Sequence, residues 1–328
     1  MIKTQNPKLT EILIGKELFL KISDVDQMSP FFISIISSSN HWLFIGSNGG
    51  LSAGRKDPEN SLFPYYTDDK IMESSEVTGS KTILRLEKDG QIRIWEPFSV
   101  RFSSHYNLKR NLYKNAIGNK ILFEEENLDL NLSFRYQWST SDQYGFVKTS
   151  QIINKADAKV SFGLVDGIQN IMPFGVGSAL QTMRSNLVDA YKRSELDQES
   201  GIGIFALSAI IVDKAEPSEA LKSSIAWSLG LENPKRLSSS QLDTFRNGQS
   251  ITEETDIKAK KGCYFVHSDM ELLAGESKEW MILADINQNA SQIRTLARAI
   301  REDQEIIAKV KETIQLGSEE LIKLNAAA

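Results

Sequence analysis

Alternation between apolar and polar residues is the feature that most limits the folds open to this chain. It is clearest in Leu128–Trp138, where every second side chain is apolar, and it also marks Lys120–Glu124 and Tyr144–Ile153. Because successive residues of a strand point to opposite faces of a sheet, this pattern predicts strands that place one face against a core.

Tight turns, rather than helices, separate these runs. Ile83–Glu87 and Ile92–Trp95 flank Asp89 and Gly90, the clearest hairpin turn in the sequence. Strands joined in this way form antiparallel sheets, so we predict a mainly β fold, an antiparallel two-sheet sandwich over residues 1–286. Its other expected strands are a strand pair in Leu9–Ile22, a hairpin of Phe31–Ile36 and His41–Ile45, then Val160–Ile168, Ile202–Val212, Ser224–Leu229, Gly262–His267 and Trp280–Asp285. Two segments between these strands are less regular, an excursion at Pro173–Ser200 and a polar connection at Leu237–Gly248.

A helical pattern begins at residue 289. Asn289 and Gln292 have the spacing of a capping box, and apolar residues then recur every three or four positions, with a break at Asp303. Gly317 is a natural helix stop, after which a second helix is expected from Ser318. We interpret residues 287–328 as a helical linker to a C-terminal domain. Its apolar stripe must pack either on the sandwich or on a partner.

The stretch from Gly46 to Ile71 is the best candidate for a binding surface. It has four glycines in its first nine residues, followed by charged and aromatic residues of the kind that hold sugars by hydrogen bonds and ring stacking. The alternative is a long surface loop in which Arg55 pairs with a nearby acid and the tyrosines cover a sheet edge. The predicted substrate-binding residues are Arg55, Asp57, Glu59, Asn60, Tyr65, Tyr66, Asp68 and Asp69.

Composition excludes several other classes of function. The net charge of -5 offers no basic surface for nucleic acid, and no apolar run is long enough to cross a membrane. The single cysteine, Cys263, excludes an internal disulfide framework and a clustered cysteine metal site. The composition is typical of a reducing compartment, so we expect a cytoplasmic protein. We expect no cofactor, because the sequence has neither a dinucleotide-binding fingerprint nor a phosphate-loop motif.

The residues that carry chemistry show no catalytic motif. His41 lies in an apolar strand and is expected in the core, whereas His105 and His267 have polar neighbours. The acidic run Glu124–Glu126 is expected to be a solvated sheet edge that discourages aggregation. Five tryptophans lie in predicted strands, where core packing is the default. We therefore assign no catalytic and no metal-binding residue.

Three places in this sequence resemble the N-terminal half of the inverting disaccharide phosphorylases, the family of cellobiose phosphorylase, and of related glycoside hydrolases. The stretch ending in Leu62–Ile71 is similar to an early loop of that family. Leu130–Asn154 is similar to its paired strands, which end in an asparagine, and Trp280–Asp285 with the following helix is similar to its last sandwich strand and linker. The segment Ala53–Asn60 departs from the family, in which a more aromatic segment is usual, so the substrate is not carried over.

The resemblance implies a galactose mutarotase-like supersandwich that precedes an (α/α)₆ barrel holding the catalytic residues. The leading hypothesis is therefore a noncatalytic carbohydrate-binding or assembly module of a larger enzyme, inactive on its own. Its expected partners are a sugar or oligosaccharide, the C-terminal catalytic domain of the same parent chain and, in a homodimer, a second copy. The alternatives are a free-standing carbohydrate-binding protein and a mutarotase-like aldose epimerase that uses His105 or His267 with a carboxylate.

Overall fold

Antiparallel strands dominate the fold, as the alternation predicts. The computed structural model describes residues 8–88, 90–182, 187–209, 221–231 and 234–327. These residues form twenty strands: β1 (Leu9–Ile14), β2 (Glu17–Ser23), β3 (Phe32–Ile35), β4 (His41–Gly46), β5 (Leu51–Arg55), β6 (Ser61–Phe63), β7 (Gly79–Lys88), β8 (Gln91–Trp95), β9 (Leu108–Asn115), β10 (Ile121–Asn127), β11 (Leu132–Ser141), β12 (Gly145–Asn154), β13 (Val160–Ile171), β14 (Lys192–Asp197), β15 (Ile202–Leu207), β16 (Lys222–Leu229), β17 (Lys235–Arg236), β18 (Asp256–Lys258), β19 (Gly262–Leu272) and β20 (Ser277–Asn289).

Hydrogen bonds join these strands into three sheets. The large sheet has eleven strands in the order β1-β2-β9-β10-β11-β12-β20-β16-β15-β14-β18, and the smaller sheets have the orders β17-β19-β13-β7-β8 and β3-β4-β5-β6. Leu43, Leu84 and Phe134, one from each sheet, belong to the same buried cluster. Both smaller sheets therefore share one core with the large sheet, which is the packing of a sandwich.

The stretch from Gly46 to Ile71 is more ordered than the loop considered from sequence. It contains β5, β6 and the start of helix α1 (Asp68–Glu73). Leu51, Ala53 and Leu62 are fully buried, so this stretch supplies core as well as surface. Short strands rich in glycine and serine lack the β-branched residues that usually reveal a strand, which is why the pattern indicated a loop.

The first C-terminal helix begins where the capping box predicts, but the helices are divided differently from the expectation. One helix ends at Glu302, before Asp303, and the next begins at Ile306 instead of at Ser318. Both halves of the capping box form. The Asn289 side chain accepts a hydrogen bond from the Gln292 backbone N–H, and the Gln292 side chain accepts one from the Asn289 backbone N–H. The expected stop at Gly317 is wrong. The helix runs straight through this residue, where an added Cβ would lie 3.2 Å from the Ser38 hydroxyl, so the glycine allows close packing instead. The remaining helices are α2 (Ser178–Thr182), α3 (Leu187–Tyr191), α4 (Leu242–Arg246), α5 (Ala290–Glu302) and α6 (Ile306–Ala327).

The apolar stripe of α5 and α6 packs back on the sandwich. Val310 and Ile314 of α6 join a buried cluster with Val147, Trp227 and Leu283 of the large sheet. These strand residues face away from the main core, so the helices cover the outer face of that sheet. Of the two possibilities left open by the sequence, packing on the sandwich is the one observed.

The acidic run Glu124–Glu126 is not a solvated edge. It lies in β10, between β9 and β11, and Glu124 and Glu125 are almost completely buried. Arg135 pairs with Glu124, and Arg110 pairs with Glu125 at 2.6 Å. The correction follows from register, because these arginines lie on the neighbouring strands and compensate the buried charges.

Other local expectations have mixed outcomes. The pairing of β7 with β8 confirms that hairpin, whereas Asp89 of its turn lies outside the described residues. Strand β9 was not anticipated. Four of the five tryptophans, Trp95, Trp138, Trp227 and Trp280, are about 1% exposed, as expected for core residues. Within the described residues, no helix is both long and apolar enough to span a bilayer.

Candidate functional site

A groove separates the N-terminal half of α5 from the edge of the sandwich. Its volume is about 690 Å³, which is within the usual range for small-ligand sites. Residues from β5, the β11–β12 turn, the end of β20 and α5 surround it. The groove therefore lies where the predicted binding stretch meets the predicted linker helix.

Amide side chains dominate the polar lining of the groove. Tyr144, Ile225 and Trp227, which belong to the cluster under the helices, supply an apolar part of the wall. Such a surface combines several hydrogen-bonding groups with limited apolar contact. The six amides are Asn40, Asn60, Gln143, Asn287, Gln288 and Gln292.

Arg55 is the centre of the hydrogen-bond network beside the groove. Its Nε donates to Asp285 Oδ1 at 2.7 Å and its Nη2 donates to Asp285 Oδ2 at 3.1 Å, a two-pronged ion pair. Nη2 also donates to the Asp142 carbonyl at 2.8 Å, and Nη1 donates to Asn40 Oδ1 at 3.2 Å. One side chain thus joins β5, β20, the β11–β12 turn and the residue before β4.

Burial determines the electrostatics of this network. Asp285 is 6% exposed, and burial raises the pKa of its carboxyl group despite the opposing effect of Arg55. His41, which pairs with Arg55 in the β4–β5 register, has its pKa lowered to about 3 by burial and by the arginine charge. His41 is therefore neutral at physiological pH, and its Nδ1 lies 2.7 Å from the Ser39 hydroxyl. This confirms the expectation of a core histidine.

Of the predicted substrate-binding residues, Arg55 and Asn60 line the groove. The Asn60 amide donates to Asp57 Oδ1 at 2.6 Å, which closes the β5–β6 turn. Glu59 accepts hydrogen bonds from the backbone and hydroxyl of Ser178, at the start of α2. Asp57 and Glu59 thus organise local structure beside the groove.

The remaining predicted residues do not line the groove. Tyr65 packs edge-on against Trp42, with ring centroids 5.6 Å apart. Tyr66 is half-buried, and burial raises its pKa. Asp69 is exposed and accepts a short hydrogen bond from Thr67, whereas the side chain of Asp68 lies outside the described part of the chain.

The two histidines of the alternative enzyme hypothesis occupy different elements. His105 lies in a 3₁₀ turn, Ser103–His105, and its ring contacts Phe102. His267 lies in β19, with its Nε2 3.8 Å from Asp269 Oδ1, and burial lowers its pKa. Among the described residues, no group of three or more His, Cys, Asp or Glu side chains could hold a metal ion.

Sequence reasoning missed most of the groove. Asp285 lies 230 residues from Arg55, so only the fold brings these side chains together. Asn40 and Gln143 are polar residues in short connections between strands, Asn287 lies near the end of β20, and none of them belongs to a motif. The one usable signal was the position of Asp285 at the end of the last predicted strand, directly before the capping box.

Comparison with known proteins finds solved structures of similar fold but does not assign the chain to a family. No protein-family model and no curated protein matches the sequence. Solved structures with a similar fold include a polysaccharide lyase (TM-score 0.44, 10% identity, covering 82% of this chain and 34% of that one) and a bacterial glucoamylase complexed with acarbose (TM-score 0.42, 10% identity, 90% and 38%). A galactose mutarotase-related enzyme from Lactobacillus acidophilus has a TM-score of 0.42 and 10% identity over 79% of this chain and 98% of its own. This chain spans little more than a third of the lyase and the glucoamylase. The glucoamylase and the mutarotase-related enzyme are of the kinds that the sequence resemblance named, whereas the lyase is not, and no residue role is transferred from any of them.

Proposed function

We propose that this chain is a noncatalytic carbohydrate-binding module of a larger glycoside phosphorylase- or hydrolase-like enzyme, and that the groove beside α5 binds an oligosaccharide. The observation that supports this most strongly is the amide-rich lining. An amide offers both donors and an acceptor, which matches hydroxyl groups that donate and accept in turn.

In this proposal Arg55 positions the groove instead of binding the sugar. Four of its five N–H groups are directed at Asp285, Asp142 and Asn40, and its Nη1 also lies 3.7 Å from the Asp142 carboxylate. Few donors remain for a ligand. The arginine instead holds together the segments that carry Asn40, Gln143 and Gln288.

The groups available to a ligand lie on the β11–β12 turn, near the end of β20 and on α5. Gln143 and Ser291 are exposed and line the groove, and no described residue forms a hydrogen bond with the Gln143 amide or the Ser291 hydroxyl. Asn287 is exposed in the same lining and has a left-handed backbone, with φ of 62°. These three side chains are the proposed sugar contacts.

A separate, apolar groove supports the proposal that this chain belongs to a larger parent protein. A groove of about 500 Å³ between the β1–β2 hairpin and α6 is lined by Leu18, Ile117 and Ile322, and the adjacent Leu13 is 68% exposed. Exposed apolar surface of this kind is typical of contacts between protein domains. We propose that the catalytic part of the parent enzyme covers it.

Isothermal titration of the chain with a panel of oligosaccharides tests the sugar site. We expect at least one to bind, and we expect Gln143→Ala to weaken binding about fivefold, the effect of losing a single hydrogen bond of about 1 kcal/mol. Gln91→Ala, which removes an exposed amide outside the groove, is the matched control. Equal loss in both variants, or binding that neither affects, contradicts the assignment.

An activity assay separates this proposal from the epimerase alternative. We expect no phosphorylase, hydrolase or mutarotase turnover by this chain. Turnover of an aldose anomer that His267→Ala or His105→Ala abolishes would favour the enzyme hypothesis instead.

A further inference from the structure

The borders of the groove carry cations that the protein leaves unpaired. Lys56 is exposed and lines the groove next to Arg55. On the opposite side, α5 exposes Arg294 and Arg298. Within the described residues, none of these three side chains forms an ion pair.

Helix geometry places Arg298 beside the groove. Ser291 and Thr295 both line it, and Arg298 follows them by seven and three residues, spacings that share one side of a helix. Arg294 lies one turn earlier and further around the helix. The groove is thus bordered by Lys56 on the sandwich side and by Arg298 on the helix side.

The nearby carboxylates compensate these cations only in part. Asp285 is taken up by its two bonds to Arg55. Asp142 is 79% exposed on the turn and lies 3.7 Å from Arg55. Glu302 is exposed one turn after Arg298, beyond Ala299, the last helix residue that lines the groove. Neither Asp142 nor Glu302 pairs with Lys56, Arg294 or Arg298.

The charged side chains of the lining itself, Arg55, Lys56, Asp142 and Asp285, balance one another. The additional positive charge comes from Arg294 and Arg298 on the helix, in a chain whose net charge is -5. At physiological ionic strength charges are screened beyond about 8 Å. A ligand in the groove therefore interacts mainly with the charges at its borders, which are Lys56, Arg298 and the exposed Asp142, and the distant acidic surface contributes little. Groups on the ligand that carry negative charge would be stabilised there, provided that they reach both sides.

We propose that the groove selects an anionic oligosaccharide, one that carries carboxylate or sulfate groups, and that Lys56 and Arg298 contact those groups. The proposal rests on the proposed function of the groove as a sugar site and specifies its ligand. Amides recognise the hydroxyls, and the two cations distinguish charged from neutral chains.

Titration with tetrasaccharides of matched length tests this selection. The anionic probes are oligogalacturonate, hyaluronan and heparan sulfate tetrasaccharides, and the neutral probes are cello-, malto-, xylo- and mannotetraose. We expect at least one anionic probe to bind about tenfold more tightly than every neutral one, with an affinity that falls as salt is added. Lys56→Gln and Arg298→Gln should each weaken that binding by about three- to tenfold and reduce its salt dependence. Lys109→Gln removes an exposed cation outside the groove and should change neither.

The outcomes separate this inference from the function on which it rests. If a neutral probe binds best, weakens in Gln143→Ala and is unaffected in Lys56→Gln and Arg298→Gln, the groove is a sugar site and the anionic selection is wrong. If Lys109→Gln weakens anionic binding as much as the groove variants, the attraction is nonspecific and the inference is also wrong. If no probe binds, both proposals fail.

Discussion

Two ion pairs in this protein have a buried carboxylate but different surroundings. Lys148 and Asp166 are both completely buried, with Nζ and Oδ1 2.6 Å apart, and they join β12 of the large sheet to β13 of the five-stranded sheet. Arg55 and Asp285 join β5 to β20, but their pair borders an open groove. The first is enclosed in the core, whereas the second holds in place the segments that surround the groove.

The two ion pairs also differ in the groups with which they form further hydrogen bonds. Asp166 accepts additional bonds from Thr82, Ser150 and Trp280, so the core pair is satisfied from both layers of the sandwich. The donors of Arg55 go to backbone and side-chain groups of surface turns. A buried charge is thus compatible with either role, and the adjacent space indicates which role applies.

The largest expected effect is in the core pair. Asp166→Ala leaves Lys148 buried without a counterion and removes the acceptor of Trp280, so we expect a loss of about 3–5 kcal/mol in the free energy of unfolding, measured by denaturant titration. Replacing both members, in Lys148→Met with Asp166→Leu, should recover a large part of it. A loss below about 1 kcal/mol in Asp166→Ala would show that this pair does not hold the layers together.

A smaller loss is expected at the groove. Arg55→Ala leaves the Asp285 carboxylate with little exposure, and we expect about 2–3 kcal/mol of destabilisation at pH 7, because water in the groove can solvate part of the charge. Losing the arginine raises the pKa of Asp285 further above its unfolded value. A group with a raised folded pKa favours folding at low pH, so the deficit of the variant should shrink as pH falls. The added substitution Asp285→Asn should restore part of the stability at pH 7, and a pH-independent deficit would contradict this explanation.

His41, which lies beside the Arg55–Asp285 pair, makes the free energy of unfolding depend on pH in a predictable direction. Its folded pKa of about 3 lies below the ordinary histidine pKa of 6.5, so the stability it contributes is present above pH 6.5 and is lost as pH falls toward 3. One proton taken up on unfolding corresponds to about 1.4 kcal/mol per pH unit. Because the unfolded histidine is only half protonated at pH 6.5, the loss between pH 6.5 and 5 is about 1.6 kcal/mol. We expect His41→Asn to flatten this part of the stability profile relative to the wild type. Parallel profiles would mean that His41 is accessible to protons in the folded state.

The smallest expected effect on stability is at the proposed contact Gln143. Gln143→Ala removes an exposed side chain without a hydrogen-bond partner among the described residues, so we expect a change within about 0.5 kcal/mol. Arg55→Ala should weaken both folding and sugar binding, whereas Gln143→Ala should weaken sugar binding alone. Thermal midpoints measured with the binding isotherms distinguish these two patterns.

Local patterns made much of the fold predictable, and long-range contacts made the rest unpredictable. Alternation located β11 and β12, and the capping spacing located the start of α5. Gly317 was misread because a glycine that ends a helix and one that allows close packing look the same in sequence. The acidic run in β10 was misread because its compensating arginines come from neighbouring strands.

The candidate site shows the same limit. Glycines, charges and aromatics drew attention to residues 46–71, and this region does supply Arg55 and Asn60 to the groove. The partner Asp285 and the helix wall come from the other end of the chain, which no spacing rule connects to Arg55. Tyr65 and Tyr66 pack locally, since aromatic residues in a short strand connection can cover the sheet as readily as bind a ligand.

The central claim is that the groove between the sandwich and α5 is a sugar site held in shape by Arg55 and Asp285. A crystal structure of the chain with its best-binding tetrasaccharide tests it most directly. The account predicts sugar density between Gln143 and Ser291, hydrogen bonds from the groove amides and an unchanged Arg55–Asp285 pair. Sugar bound elsewhere, for example beside His267 on the five-stranded sheet, with the groove empty, would contradict it.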